Sequence, residues 1–130
     1  MMRMILFLDI DDVCRAPLAA ALYQKKHPGK AVCSAGVYAA PDTAINHNAV
    51  RAGEAIGVSV EGHTSRAVCA QNIADAKAVF CMTQAIAEYV RREHPEAAER
   101  IYALEIPDPF GSTEYEACAR EIAKQVEELP

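Results

Sequence analysis

The apolar positions of this chain fall into short continuous runs that alternate with stretches of helical spacing. Met4-Ile5-Leu6-Phe7-Leu8 is apolar throughout, the mark of a strand covered on both faces. It stops at Asp9, and after a short loop Pro17 opens the Ala/Leu-rich stretch Leu18 to Tyr23, as proline does in the first turn of a helix. That helix is expected to run to about Lys26, where His27-Pro28-Gly29 breaks it. Ala31 to Ala35 predicts a second strand closed by Gly36, and Asn46 to Ile56 a second helix with Gly57 just past its end. A third strand lies within Ala74 to Met82, around Ala78-Val79-Phe80-Cys81-Met82. Thr83 is then the N-cap of a helix through Ile86, Tyr89 and Val90. Ile101 to Leu104 reads as a fourth strand, and Tyr115 to Leu129 as a closing helix with Ala119, Ile122, Ala123, Val126 and Leu129 on one stripe. Strands that alternate with helices need crossover connections. The expected fold is therefore α/β, a three-layer αβα arrangement around a four-stranded parallel sheet.

Composition narrows this further. The chain of 130 residues has room for a single domain spanning 1–130, and 52% hydrophobic residues can fill its core. A net charge of −5 argues against nucleic acid as a partner, since a basic surface is needed to displace phosphate counterions. The longest apolar run near the start is too short for a signal core or a membrane span, so no membrane partner and a cytoplasmic location are expected. Five cysteines, an odd number without CxxC spacing, read as reduced thiols, and Cys81 in its apolar run reads as core.

In such sheets ligands bind beyond the carboxyl ends of the strands, so the first strand-to-helix loop is the first place to look. It reads Asp9-Ile10-Asp11-Asp12-Val13-Cys14-Arg15-Ala16-Pro17. Its backbone N–H groups and the following helix N-terminus could cradle an anion, and Arg15 would add a bidentate fork. The alternative is an acidic capping loop whose side chains sit on the free helix N–H groups.

At these residues the sequence resembles the low-molecular-weight protein tyrosine phosphatases and their arsenate reductase relatives. Arg15-Ala16-Pro17-Leu18-Ala19-x-Ala21-Leu22 is similar to the family's helix start. Ser34-Ala35-Gly36-Val37, Asn48-Ala49-Val50, Gly62-His63-x-Ser65-Arg66, Met82-Thr83 and Asp108-Pro109-Phe110-Gly111 follow in the family's order. The resemblance implies that family's fold and a Cys-x5-Arg phosphate loop. In that loop a thiolate attacks phosphorus, loop amides and arginine hold the oxygens, and an aspartate protonates the leaving phenol. Six positions before Arg15 stands Asp9, so the nucleophile position holds Asp in place of Cys. Asp11 replaces the loop glycine, Asp12 the loop asparagine, and Ala16 the serine after the arginine. Ile10, Val13 and Cys14 complete the loop, Arg15 is retained, and Asp108 falls at the general-acid position. Cys14 matches a second loop cysteine of many relatives, whose protective disulfide would need a cysteine where Asp9 stands. An arsenate reductase role is disfavoured for the same reason, because its thiol relay would begin there.

Asp9, Asp11 and Asp12 against Arg15 give a formal charge of −2 if all ionise. Like charges about 4 Å apart repel by on the order of 4 kcal/mol at an effective dielectric of 20, whereas a helix N-terminus returns only about 0.3–1 kcal/mol. A poor phosphate site is expected, and three outcomes follow. An aspartate could fold into the cradle and pair with Arg15, leaving a silent domain that binds an unknown protein partner. Asp9, Asp11 and Asp12 could instead hold Mg²⁺ as a cofactor, otherwise not required. Asp9-Ile10-Asp11-Asp12-Val13 resembles the first motif of the haloacid dehalogenase phosphatases over five residues, with Asp9 as nucleophile on a phosphorylated substrate. Residual phosphomonoester hydrolysis through a water, Arg15 and Asp108 is the third. Asp108 also reads as a turn residue before Pro109, and Tyr38 and Phe110 either wall a cleft or simply pack. His63 and Ser65 read as structural, His47 and His94 as exposed, and Arg91-Arg92-Glu93-His94 as a solvated helix end.

Overall fold

The computed structural model describes residues 3–130. Four strands form one parallel sheet: β1 (Met4–Asp9), β2 (Val32–Gly36), β3 (Ala76–Cys81) and β4 (Ile101–Ala103), in the order β2-β1-β3-β4. The helices are α1 (Arg15–Lys26), α2 (His47–Ala55), α3 (Ala70–Asp75), α4 (Gln84–Glu93) and α5 (Tyr115–Glu127), with a 3-10 turn over Pro95–Arg100. The chain leaves β1 outward to β2 and leaves β3 outward to β4, in opposite directions. Right-handed crossovers then put α1 and α4 on opposite faces, which gives the three layers. α1 packs on β1 and β2, α4 on β3 and β4, and α5 closes over α1 and α2.

The continuous apolar run becomes the central strand because both its faces are covered: Leu6, Phe7 and Leu8 are fully buried, as are Val79 and Cys81 of β3. Each such aliphatic or aromatic side chain contributes roughly 1.5–3 kcal/mol when removed from water. The stripe of α5 buries Cys118, Ala119, Ile122 and Val126. Helix boundaries follow the local chemistry. Asn46 accepts from the Asn48 and Ala49 N–H groups at the start of α2, and Thr83 Oγ1 accepts from Ile86 N–H at the start of α4. Gly57 sits at φ 87 after α2, where a side chain would be strained.

Two elements were not predicted. α3 has six residues, too few for a helical period to show, and the 3-10 turn is set by Pro95 at its first position. At the end of α4, Arg92 and Glu93 are exposed as expected, but Arg91 and His94 need correction. Arg91 donates to Ile101 O at 2.7 Å, and His94 is half-buried with Nδ1 3.6 Å from Glu96. Among the described residues no helix is long and apolar enough to cross a membrane.

Candidate functional site

β1 and β3 are the strands at which the sheet changes winding direction, and Asp9 is the last residue of β1. The loop from Ile10 to Cys14 therefore opens at the topological switch point, where α/β sheets leave room for a ligand. Neighbouring backbone pins it in place. Asp9 O accepts from Val37 N–H, Ile10 O from Tyr38 N–H, Val13 O from Asn46 N–H, and Asp12 O lies 2.9 Å from His63 Nε2. Gly36 lies directly beneath. A Cβ there would stand 2.6 Å from Ile10 O and 2.9 Å from both Asp11 C and Asp12 N, all backbone atoms. Gly36→Ala is thus expected to lower stability by about 1–3 kcal/mol through overpacking, read as a lower midpoint in urea unfolding.

Asp9 turns its side chain back into the loop. Oδ1 accepts from Asp12 N–H at 2.6 Å and Oδ2 from Ala16 N–H at 2.9 Å, with Asp9 only 1% exposed. Ala16 is in the first turn of α1, whose N-cap residue Cys14 gives no side-chain cap, so Asp9 caps the helix from the preceding strand. Burial pushes the Asp9 carboxyl up to about 7. Asp12 adds to the rise, while the two N–H donors and Arg15 oppose it.

Asp12 faces the other way. Its φ of 58 is left-handed, a conformation Asp and Asn accept more readily than other side chains, so an Asp can hold this turn. Oδ2 accepts from Arg66 N–H at 2.9 Å and lies 3.3 Å from His63 Nε2. That hydrogen bond holds the His63 proton and raises its pKa. Oδ1 is buried without a hydrogen-bond partner among the described residues. Ser65 supports the same segment, accepting from Thr43 N–H at 2.9 Å and donating to Ala40 O.

The expected pairing of a loop aspartate with Arg15 is corrected. Arg15, 2% exposed, donates from Nη1 to Ile106 O at 2.8 Å, and its Nη2 lies 3.7 Å from Asp108 Oδ2. Asp9 takes backbone N–H groups because they converge on it at the end of β1, while the guanidinium reaches across to the segment after β4. Asp108 uses its other oxygen to accept from Phe110 N–H at 3.0 Å, so the turn role and the place beside Arg15 coexist.

The condition for strong repulsion, three ionised side chains pointing inward, does not arise either. Asp9 is buried near its titration point, Asp11 is half-buried, and Asp12 points to the His63 segment. These side chains do not suit Mg²⁺: both Asp9 oxygens are occupied by N–H donors, and Asp12 is turned away. Among the described residues no three His, Cys, Asp or Glu side chains gather as metal ligands.

Over residues 4–130 the sequence matches the low molecular weight phosphotyrosine protein phosphatase family. The chain belongs to this family. A protein-arginine-phosphatase of Geobacillus stearothermophilus is 32% identical over 117 residues, covering 82% of this chain and 78% of the relative. The low molecular weight protein-tyrosine-phosphatase Etp of Escherichia coli K12 is 31% identical over 122 residues, covering 82% and 76%. Among solved structures, the YwlE arginine phosphatase of G. stearothermophilus superposes with a TM-score of 0.90 at 29% identity, over 96% of this chain and 88% of that one. The tyrosine phosphatase amsI of Erwinia amylovora shares the fold at TM-score 0.92 and 22% identity, over 98% and 90%.

Within this phosphatase-family fold the residues singled out from sequence divide into three groups. Asp9, Arg15, Asp108 and the loop residues Ile10 to Cys14 converge at one end of the sheet. Tyr38 and Phe110 are exposed on the two flanking loops, at 72% and 77%, and the Tyr38 ring packs at 5.7 Å on Tyr89. His63 and Ser65 serve as supports. Three contributors escaped the sequence: the Ile106 carbonyl that holds Arg15, the Arg66 N–H that holds Asp12, and Cys118, whose thiol donates to the Pro107 carbonyl beside Asp108 at 3.9 Å. Two are backbone groups, which no side-chain pattern announces. The third depends on the packing of α5 against α1.

Proposed function

We propose that this chain is a pseudoenzyme of the phosphatase family, in which an Asp-x5-Arg phosphate loop replaces the Cys-dependent site and the domain acts as a binding or regulatory module. The observation that carries this is the seating of Asp9. Its two oxygens accept the Asp12 and Ala16 N–H groups at 2.6 and 2.9 Å, donors of the kind a phosphate loop offers to phosphate. Those lone pairs are engaged, and a carboxylate is a weaker nucleophile toward phosphorus than a thiolate. With its own carboxyl group in the cradle, the domain would meet a protein partner through the exposed rim of Ile10, Tyr38 and Phe110. The reading needs no cofactor, no nucleic acid and no membrane. Its unpaired cysteines suit the reducing cytoplasm.

A second reading rests on Arg15 and Asp108, which stay within 3.7 Å of each other. They would support slow hydrolysis of a phosphorylated substrate by a water molecule. Aryl phosphate turnover separates the two. The expected result is no hydrolysis above buffer, with or without Mg²⁺ or EDTA. Turnover that Arg15→Met abolishes would establish the second reading. Turnover that requires Mg²⁺ and disappears in Asp9→Asn would overturn both.

A further inference from the structure

Phe7, Phe80 and Tyr102 stand in register across β1, β3 and β4, on one face of the sheet. Their rings form a ladder, with 5.4 Å between the centres of Phe7 and Phe80 and 5.5 Å between those of Phe80 and Tyr102. Tyr23 of α1 packs on the Phe7 end. Beyond it the cover thins, because α1 lies on β1 and β2 while α5 lies over α1 and α2. Tyr102 is left 48% exposed, and a cavity of about 510 Å³ opens along the ladder, a size that suits a small molecule. Ile5, Tyr23, Phe80, Tyr102 and Leu129 give it an apolar lining.

The charged residues that line this cavity are Lys30 and Lys77, with no carboxylate among them, in a chain whose net charge is −5. Among the described residues neither lysine takes part in an ion pair. Lys30 is held at the rim: its Nζ donates to Tyr23 Oη at 3.1 Å and lies 5.6 Å from the centre of that ring, and Tyr23 Oη donates to Pro130 O at 2.8 Å. Lys77 is exposed and carries its charge on a flexible four-carbon stem. No residue from Asp9 to Arg15 lines the cavity, so it is separate from the phosphate loop.

We propose that this cavity binds a small planar aromatic anion, an aromatic body bearing a carboxylate, sulfonate or phosphate group. The body stacks on the open end of the ladder and displaces water from an apolar surface. The anionic group meets the Lys30 ammonium, with Lys77 reaching in from the rim. A neutral aromatic molecule gains only the stacking, and an aromatic cation is repelled.

The probe is 8-anilino-1-naphthalenesulfonate, titrated into the full chain and compared with N-phenyl-1-naphthylamine, the same ring system without the sulfonate. The sulfonate should bind with a dissociation constant on the order of 10–100 μM and shift the amide resonances of Ala78, Phe80, Tyr102 and Leu129. The neutral amine should bind about fivefold more weakly. Tyr102→Ala should weaken the sulfonate by about tenfold through the lost stacking. Lys30→Gln combined with Lys77→Gln should weaken it by about fivefold and leave the neutral amine unaffected. Both lysines are exposed, and glutamine keeps a donor for Tyr23, so this variant decides the matter even if Tyr102→Ala folds poorly. Equal affinity for the two probes, shifts confined to Ile10, Tyr38 and Phe110, or sulfonate binding that the lysine variant does not weaken would overturn the proposal. So would a dimer in sedimentation velocity that Tyr102→Ala dissolves, since a second copy of the chain would then occupy this face.

Discussion

Replacing Asp9 by alanine is expected to weaken the fold and, in the same step, to create an affinity for inorganic phosphate. The side chain it removes accepts two buried N–H groups, from Asp12 and from Ala16. Each unsatisfied donor costs about 1–3 kcal/mol, and water entering the space recovers part of that. A loss of roughly 2–4 kcal/mol is the expected outcome, seen as a lower urea midpoint. The vacated space would face two free N–H groups, that of Asp12 in the loop and that of Ala16 in the first turn of a 12-residue helix, with the Arg15 guanidinium nearby. Such a constellation binds a tetrahedral anion.

Phosphate or sulfate should therefore raise the melting midpoint of Asp9→Ala and leave that of the parent chain unchanged. At 100 times its dissociation constant, an anion returns about 2.7 kcal/mol, which is comparable to the loss. The experiment discriminates because salt effects on the surface would move both proteins alike. Equal shifts in parent and variant would show that Asp9 does not occupy the cradle. A destabilised variant that phosphate fails to rescue would show that the loop collapses once its internal carboxyl group is gone.

How far the sequence exposes this site depends on which atoms make it. The strands and most helices are legible because burial on two faces demands continuous apolar runs such as Met4 to Leu8. Turn chemistry at Asn46, Gly57 and Thr83 marks helix ends in local residue types. The position of Asp9 six residues before Arg15 is legible too, and so is the choice between an anion cradle and a capping loop. Both descriptions apply, since Asp9 caps α1 by filling the cradle. The partner of Arg15 is not legible, because it is the carbonyl of Ile106, and any residue carries a carbonyl. Nor is the direction of Asp12, which depends on a backbone φ of 58 and on the His63 segment arriving from beyond α2. Charge counting along the loop therefore overstates the repulsion. It treats as one cluster three side chains that the backbone sends to three environments.

The same separation of environments predicts an unusual pH dependence. Asp9 titrates near 7 in the folded chain, against 3.8 for an exposed aspartate, so the folded state binds this proton more tightly than the unfolded state. Its contribution to stability is then fully present below about pH 3.8 and is lost as the pH rises through about 7. The difference corresponds to on the order of 4 kcal/mol across that window. His63 acts in the same direction. Its hydrogen bond to Asp12 raises its pKa, so its contribution is present below 6.5 and is lost as the pH rises through the higher folded value. Most carboxyl groups with charged or N–H partners give the opposite slope, becoming stabilising as they ionise. Urea unfolding between about pH 4 and pH 8 should therefore show the parent chain losing stability relative to Asp9→Asn as the pH rises through about 7. The amide introduced by Asp9→Asn keeps one acceptor and leaves one N–H unpaired, which lowers that variant's curve by a constant amount without changing its slope. His63→Gln should remove a smaller part of the slope, at the upper end of the range. Parallel curves for the parent and Asp9→Asn would mean that Asp9 is ionised throughout, with its two N–H donors and Arg15 outweighing its burial.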